Sequence, residues 1–131
     1  MNIKYIGLFV LCLSLVNPVK AEWNNENCTS RGGTIVNVNS RSFCQSGRAM
    51  NWWSANIWCS KHGGHLPSYA DLCPGAANSV CGTRRWPDNI WVKETYIDPG
   101  SHAIRPYHVY GNGGGVTLAT VTDSRNVVCE Q

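Results

Sequence analysis

The sequence carries almost no net charge. Eleven Lys and Arg face eight Asp and Glu, and two of those bases, Lys4 and Lys20, lie in the extreme N-terminal stretch. Without them nine bases against eight acids leave +1, which excludes the basic footprint of a nucleic-acid-binding domain. There is no Cys-x-x-Cys pair and no Cys/His cluster at zinc-finger spacing, so a structural zinc site is not expected. Repeats and disordered linkers are missing too, and at 43% hydrophobic residues the low hydrophobicity of a disordered chain is absent. Leu and Ile are scarce, and no long apolar run follows Glu22. What is abundant is Cys and Trp, seven and six in 131 residues. That bias points to one small domain folded in an oxidising compartment.

Residues 1–21 have the organisation of a secretory signal peptide. Lys4 supplies a positive start, residues 6–16 an apolar stretch, and Val19, Lys20 and Ala21 end on a small residue suited to cleavage. The stretch is shorter than the roughly 20 residues a membrane helix needs. The expected product is an exported single domain over residues 22–131, without a membrane span, in a secreted, periplasmic or cell-surface location. Asn27, Cys28 and Thr29 form a glycosylation sequon that matters only in a eukaryotic secretory pathway.

Setting Cys12 aside with the leader leaves Cys28, Cys44, Cys59, Cys73, Cys81 and Cys129. Six cysteines in an exported domain imply three bridges, among 15 formal connectivities. A Cys28–Cys44 bridge would staple a hairpin over residues 28–45, which is too small to be stable alone. Cys73 and Cys81 bracket a loop of Pro, Gly, Ala and Asn that a local bridge would pin.

One segment reads clearly as a helix. Asn51 is a candidate N-cap, residues 52–62 follow, and Gly63 supplies the left-handed position that closes a helix. Trp52, Ala55, Cys59 and His62 share a face, with Trp53 and Ile57 on the flank. Ser68 and Asp71 have capping-box spacing for a short second helix that Pro74 ends. From Trp86 onward short strands take over: residues 90–93, a turn at Asp98, Pro99, Gly100 and Ser101, then residues 107–110 and 116–121 around a glycine-rich turn, and 127–129. Helices followed by an antiparallel sheet make an α+β organisation.

The pattern Trp52-x-x-Ala55-x-x-x-Cys59-x-x-x-Gly63-Gly64-x-Leu66 resembles the first-helix signature of the C-type lectin-like domain family. Val127, Val128, Cys129 and Glu130 are similar to that family's closing strand, and residues 28–45 to the hairpin of its long form. The resemblance covers residues 49–131 and is strongest to compact bacterial members. It implies a C-type lectin-like fold: two helices packed on a small antiparallel sheet, stapled by three disulfides. It also implies a Cys59–Cys129 bridge, closing a loop worth about 4 kcal/mol in the chain-entropy treatment. Trp52, Trp58 and Trp91 would fill the core. The family's calcium and sugar motifs, Glu-Pro-Asn or Gln-Pro-Asp followed by Trp-Asn-Asp, are missing. Asp88, Glu94, Asp98 and Asp123 are too scattered for the six to eight oxygens of a calcium site. No metal and no cofactor are expected.

Nothing assembles into a catalytic set. His62 and His65 straddle a helix end, where histidine serves the terminal carbonyls. His102 and His108 flank a loop without a paired nucleophile or carboxylate. The glycine turn at residues 111–115 lacks the Lys-Ser/Thr and helix of a phosphate loop, and Arg84 and Arg85 beside Trp86 read as a surface turn. The expected function is therefore a metal-independent, adhesin-like module that binds a glycan or protein outside the cell. Its candidate surface is Trp86, Asp88, Tyr96, Asp98, His102, Arg105 and Tyr107, where aromatics stack on a ligand and Asp and Arg orient it. The alternative is a structural or assembly subunit of an envelope appendage or secreted complex, docking through the N-terminal Trp23. A small hydrolytic enzyme ranks last.

Overall fold

The computed structural model describes residues 22–38, 41–73, 89–110 and 115–131. Trp23 and a short 3-10 turn over Thr29–Arg31 lead into β1 (Gly33–Val38) and β2 (Arg41–Ser46), which pair antiparallel from Gly33↔Ser46 to Val38↔Arg41. Helix α1 (Trp52–Lys61) and the single-turn α2 (Tyr69–Leu72) follow. Next come β3 (Ile90–Ile97), β4 (Ile104–Val109), β5 (Val116–Leu118) and β6 (Val128–Cys129).

These strands form two antiparallel sheets of three, ordered β1-β2-β6 and β3-β4-β5. The expected arrangement, two helices on one small sheet with three disulfides, is overturned. The molecule is mostly sheet, with helices of only 10 and 4 residues, and two disulfides close among the described residues, Cys28–Cys44 and Cys59–Cys129. Cys73 is disulfide-bonded as well; the expected Cys73–Cys81 pairing involves Cys81, outside the described residues.

The reason lies in the last strand. β6 pairs with β2 through Cys44↔Cys129 and Gln45↔Val128, so the N-terminal hairpin is the body of one sheet rather than an appendage. Just before it, Asn126 bridges to Ile90, and the Trp91 amide donates to the Asn126 carbonyl at 3.1 Å. One extended C-terminal segment thus stitches the two sheets together. Its far end zips onto the chain leaving α1, where His65 and Glu130 exchange two backbone hydrogen bonds of 2.9 Å.

Local chemistry follows the sequence closely. The Asn51 side chain accepts from the Ser54 amide at 2.8 Å and caps α1, while Gly63, at φ 83°, ends it. The Ser68 hydroxyl accepts from the Asp71 amide at 3.1 Å and starts α2. Ala55 and Cys59 are the only fully buried residues of α1, and they press on a core of Trp91, Leu66, Val127 and both half-cystines. Trp52 and Trp58 are only half-buried against it. Two indoles lock the packing: Trp91 donates to the Met50 carbonyl at 2.8 Å and Trp52 to that of Val92 at 3.2 Å. A second core lies between the sheets, where Phe43 and Val128 meet Ile90, Val92, Val109 and, from α2, Leu72.

Two glycines are dictated by contact. A Cβ at Gly33 would strike the sulfurs of the Cys28–Cys44 bridge, and one at Gly64 would strike the Glu130 carbonyl and the Trp23 ring. Trp23 is buried there, so it is not free to dock to a partner.

Candidate functional site

The β3–β4 hairpin is half core and half arm. In β3, Ile90, Trp91 and Val92 are buried, whereas Lys93, Thr95, Tyr96 and Ile97 are exposed. Val109, His108 and Pro106 anchor the returning strand, and Ile104 at its outer end is exposed. The register pairs Tyr96 with Arg105 and Ile97 with Ile104. Opposed residues share a face, so one face of the arm carries Tyr96 and Arg105 and the other an isoleucine pair. Ile97 is 62% exposed and Ile104 and Tyr96 39% each, so three of the large hydrophobic side chains exposed among the described residues gather near this turn, with Trp53, Ile57 and Tyr110 the others.

The turn at the tip is rigid. The Asp98 carboxylate accepts from the Ser101 and Gly100 amides at 2.9 and 2.8 Å. These bonds, led by that from Ser101 and reinforced by Arg105, hold its pKa below the usual carboxylate range. The Asp98 amide donates to the Ala103 carbonyl at 3.0 Å, and the His102 amide to the Asp98 carbonyl at 2.8 Å. His102 takes a left-handed backbone conformation, φ 57°, that non-glycine residues rarely adopt.

Of the candidate surface residues, the structure gathers Tyr96, Asp98, His102 and Arg105 on this arm. Their roles divide: Tyr96 is presented outward, while the Asp98 carboxylate is committed to the turn. Tyr107 lies on the Tyr96–Arg105 face but packs, half-buried, against the second core. Trp86 and Asp88 lie outside the described residues. Ile97 and Ile104 were missed by sequence reasoning, although their position just outside the turn flanks it symmetrically. His108 belongs to the interior, between the rings of Trp91 and Tyr110. Among the described residues neither of its ring nitrogens has a hydrogen-bond partner, and burial lowers its pKa.

A second constellation also escaped the sequence. Arg41 at the start of β2 reaches Asp71 of α2 at 2.6 Å and Glu130, next to the C-terminus, at 3.2 Å. The two carboxyl groups are hydrogen-bonded to each other. Burial, then the neighbouring Asp71, pushes Glu130 up to about 7, while the bond from Glu130 leads the effects that hold Asp71 near 2. One proton is thus shared across the pair, with Glu130 as donor. His65 stands 3.7 Å from Glu130. Only 4% of Glu130 is exposed, so the pair fastens the chain end to α2 and β2 instead of offering an acid to a substrate.

Among the described residues no group of three or more His, Cys, Asp or Glu side chains is placed to hold a metal ion. No described helix is long and apolar enough to cross a membrane. The two closed disulfides fit an oxidising environment. Compared with family models, with curated proteins and with solved structures, the chain matches none.

Proposed function

We propose that this protein is an exported binding module, adhesin-like and metal-independent, which recognises a glycan or protein outside the cell through the β3–β4 arm. The observation that carries the reading is the exposure of Ile97, Ile104 and Tyr96 on a hairpin whose base is locked in the core. An aromatic, an apolar pair and the Arg105 guanidinium lie on a preorganised frame, so a ligand need not order them on binding. Aromatic and Arg side chains are those that most often dominate binding energies. The secreted, periplasmic or cell-surface location belongs to this proposal.

The test is an array of immobilised oligosaccharides and extracellular proteins, probed with the oxidised chain and with a Tyr96→Ala/Ile97→Ser variant. The reading expects at least one ligand above background that the variant binds at least tenfold more weakly. No ligand, or no ligand weakened in the variant, would overturn it.

A further inference from the structure

A groove of about 470 Å³ runs along α1, none of its lining residues belonging to the arm. Arg48 and Lys61 stand among its lining residues, Trp58, Ile57 and Met50 give it apolar surface, and no acidic residue lines it. Both cations are exposed, and neither enters an ion pair among the described residues. Its volume falls within the range of small-ligand sites, roughly 300–1,000 Å³.

Trp58 is held as a platform. The His62 ring lies against it, with centroids 3.9 Å apart. That imidazole is itself fixed by the Trp58 and Arg31 carbonyls at 2.7 and 3.2 Å. Trp58 lines the groove, whereas His62 does not. The Arg31 guanidinium donates to the Lys61 carbonyl at 2.9 Å, offsetting the partial negative charge of the helix end. At the other end Ser54 lines the groove, and the Asn51 amide nitrogen is left to donate because its oxygen caps the helix.

We propose that this groove is a subsite for an anionic oligosaccharide. The apolar face of a pyranose ring stacks on Trp58, and sulfate or carboxylate groups pair with Arg48 and Lys61. The charge is local: two unpaired cations without an acid, on a chain whose exported part is nearly neutral. That favours a short charged sugar over a nucleic acid, which needs an extended basic track. The subsite does not depend on the arm.

Isothermal titration with a heparin-derived hexasaccharide tests it, alongside its desulfated, uronate-bearing counterpart, a neutral hexasaccharide and a single-stranded DNA dodecamer. The subsite predicts binding of the sulfated probe, with or without the desulfated one, and at least a tenfold loss in Arg48→Gln/Lys61→Gln. It also predicts unchanged affinity in Lys93→Gln, an exposed cation on β3 outside the groove, so a loss in the double variant reads the groove and not overall charge, while the arm is read separately by its own variant on the array. Both substituted cations are exposed, and retention of the wild-type melting temperature shows that the double variant folds. No binding, equal binding of the neutral sugar or the DNA, or full affinity in the double variant would overturn the proposal.

Discussion

Glu130 is a buried carboxyl group, and it makes stability depend on pH in a definite direction. Its pKa is raised from 4.5 to about 7, so the folded chain keeps a proton that the unfolded chain has released. Stability from this group is full below its ordinary pKa and falls as pH rises toward about 7. Asp71, lowered from 3.8 to about 2, acts oppositely: its contribution is present above its ordinary pKa and lost on acidification. The contribution of this pair to thermal stability should therefore be greatest at about pH 4–5, while buried His108, its pKa lowered, opposes it by losing stability on acidification below its ordinary range. Glu130→Gln, which keeps a donor for Asp71 without titrating, should flatten the decline toward neutrality; an unchanged decline would remove Glu130 from the explanation. Gly64→Ala tests a different residue-scale constraint. Its Cβ would meet the Trp23 ring and the Glu130 carbonyl, and overpacking of this kind costs about 1–3 kcal/mol, measurable by denaturant titration.

At the scale of elements, α1 stands on its caps. Asn51→Ala removes the side-chain acceptor of the Ser54 amide and should cost about 1 kcal/mol, within the usual 0.5–2, in chemical denaturation. These elements were legible because their signals are local. Asn51 and Gly63 bracket the helix, Ser68 and Asp71 the single turn, and Asp98 to Ser101 the hairpin turn. The outer half of β3 past Lys93 was not legible, since Glu94 and Thr95 are polar residues that carry no apolar alternation. Thr95, Tyr96 and Ile97 are strand because they pair with Pro106, Arg105 and Ile104 of β4 across the turn, while the register shifts between Trp91 and Thr95. The choice of partner for β6 was equally hidden. Two residues hold too little pattern to select an edge, and the decision is made by the sulfurs and by the seam at Asn126. The Arg41–Asp71–Glu130 cluster left no trace in the sequence, its members being 30 and 89 residues apart. Of the candidate surface, residues near the hairpin turn were found because turns carry readable composition. The flanking isoleucines were passed over because an apolar residue in a strand reads as core.

Across the whole molecule, the Cys59–Cys129 bridge ties α1 to the segment that joins both sheets, with a separation of 70 residues. Replacing both cysteines by Ala should remove about 4 kcal/mol of stability. Denaturation midpoints of the oxidised proteins measure the loss, and an unchanged midpoint would mean that the sheets hold each other without the tie. The covalent frame matters for function because an arm can present Tyr96, Ile97 and Ile104 only if its base does not move. Hydrogen exchange with and without the tightest ligand that the Tyr96→Ala/Ile97→Ser variant loses tests this most directly. Binding through the arm predicts new protection confined to the amides of residues 94–105, with the buried half of the hairpin protected in both states. Protection appearing only elsewhere, with the tip exchanging as freely as in the unliganded protein, would contradict it.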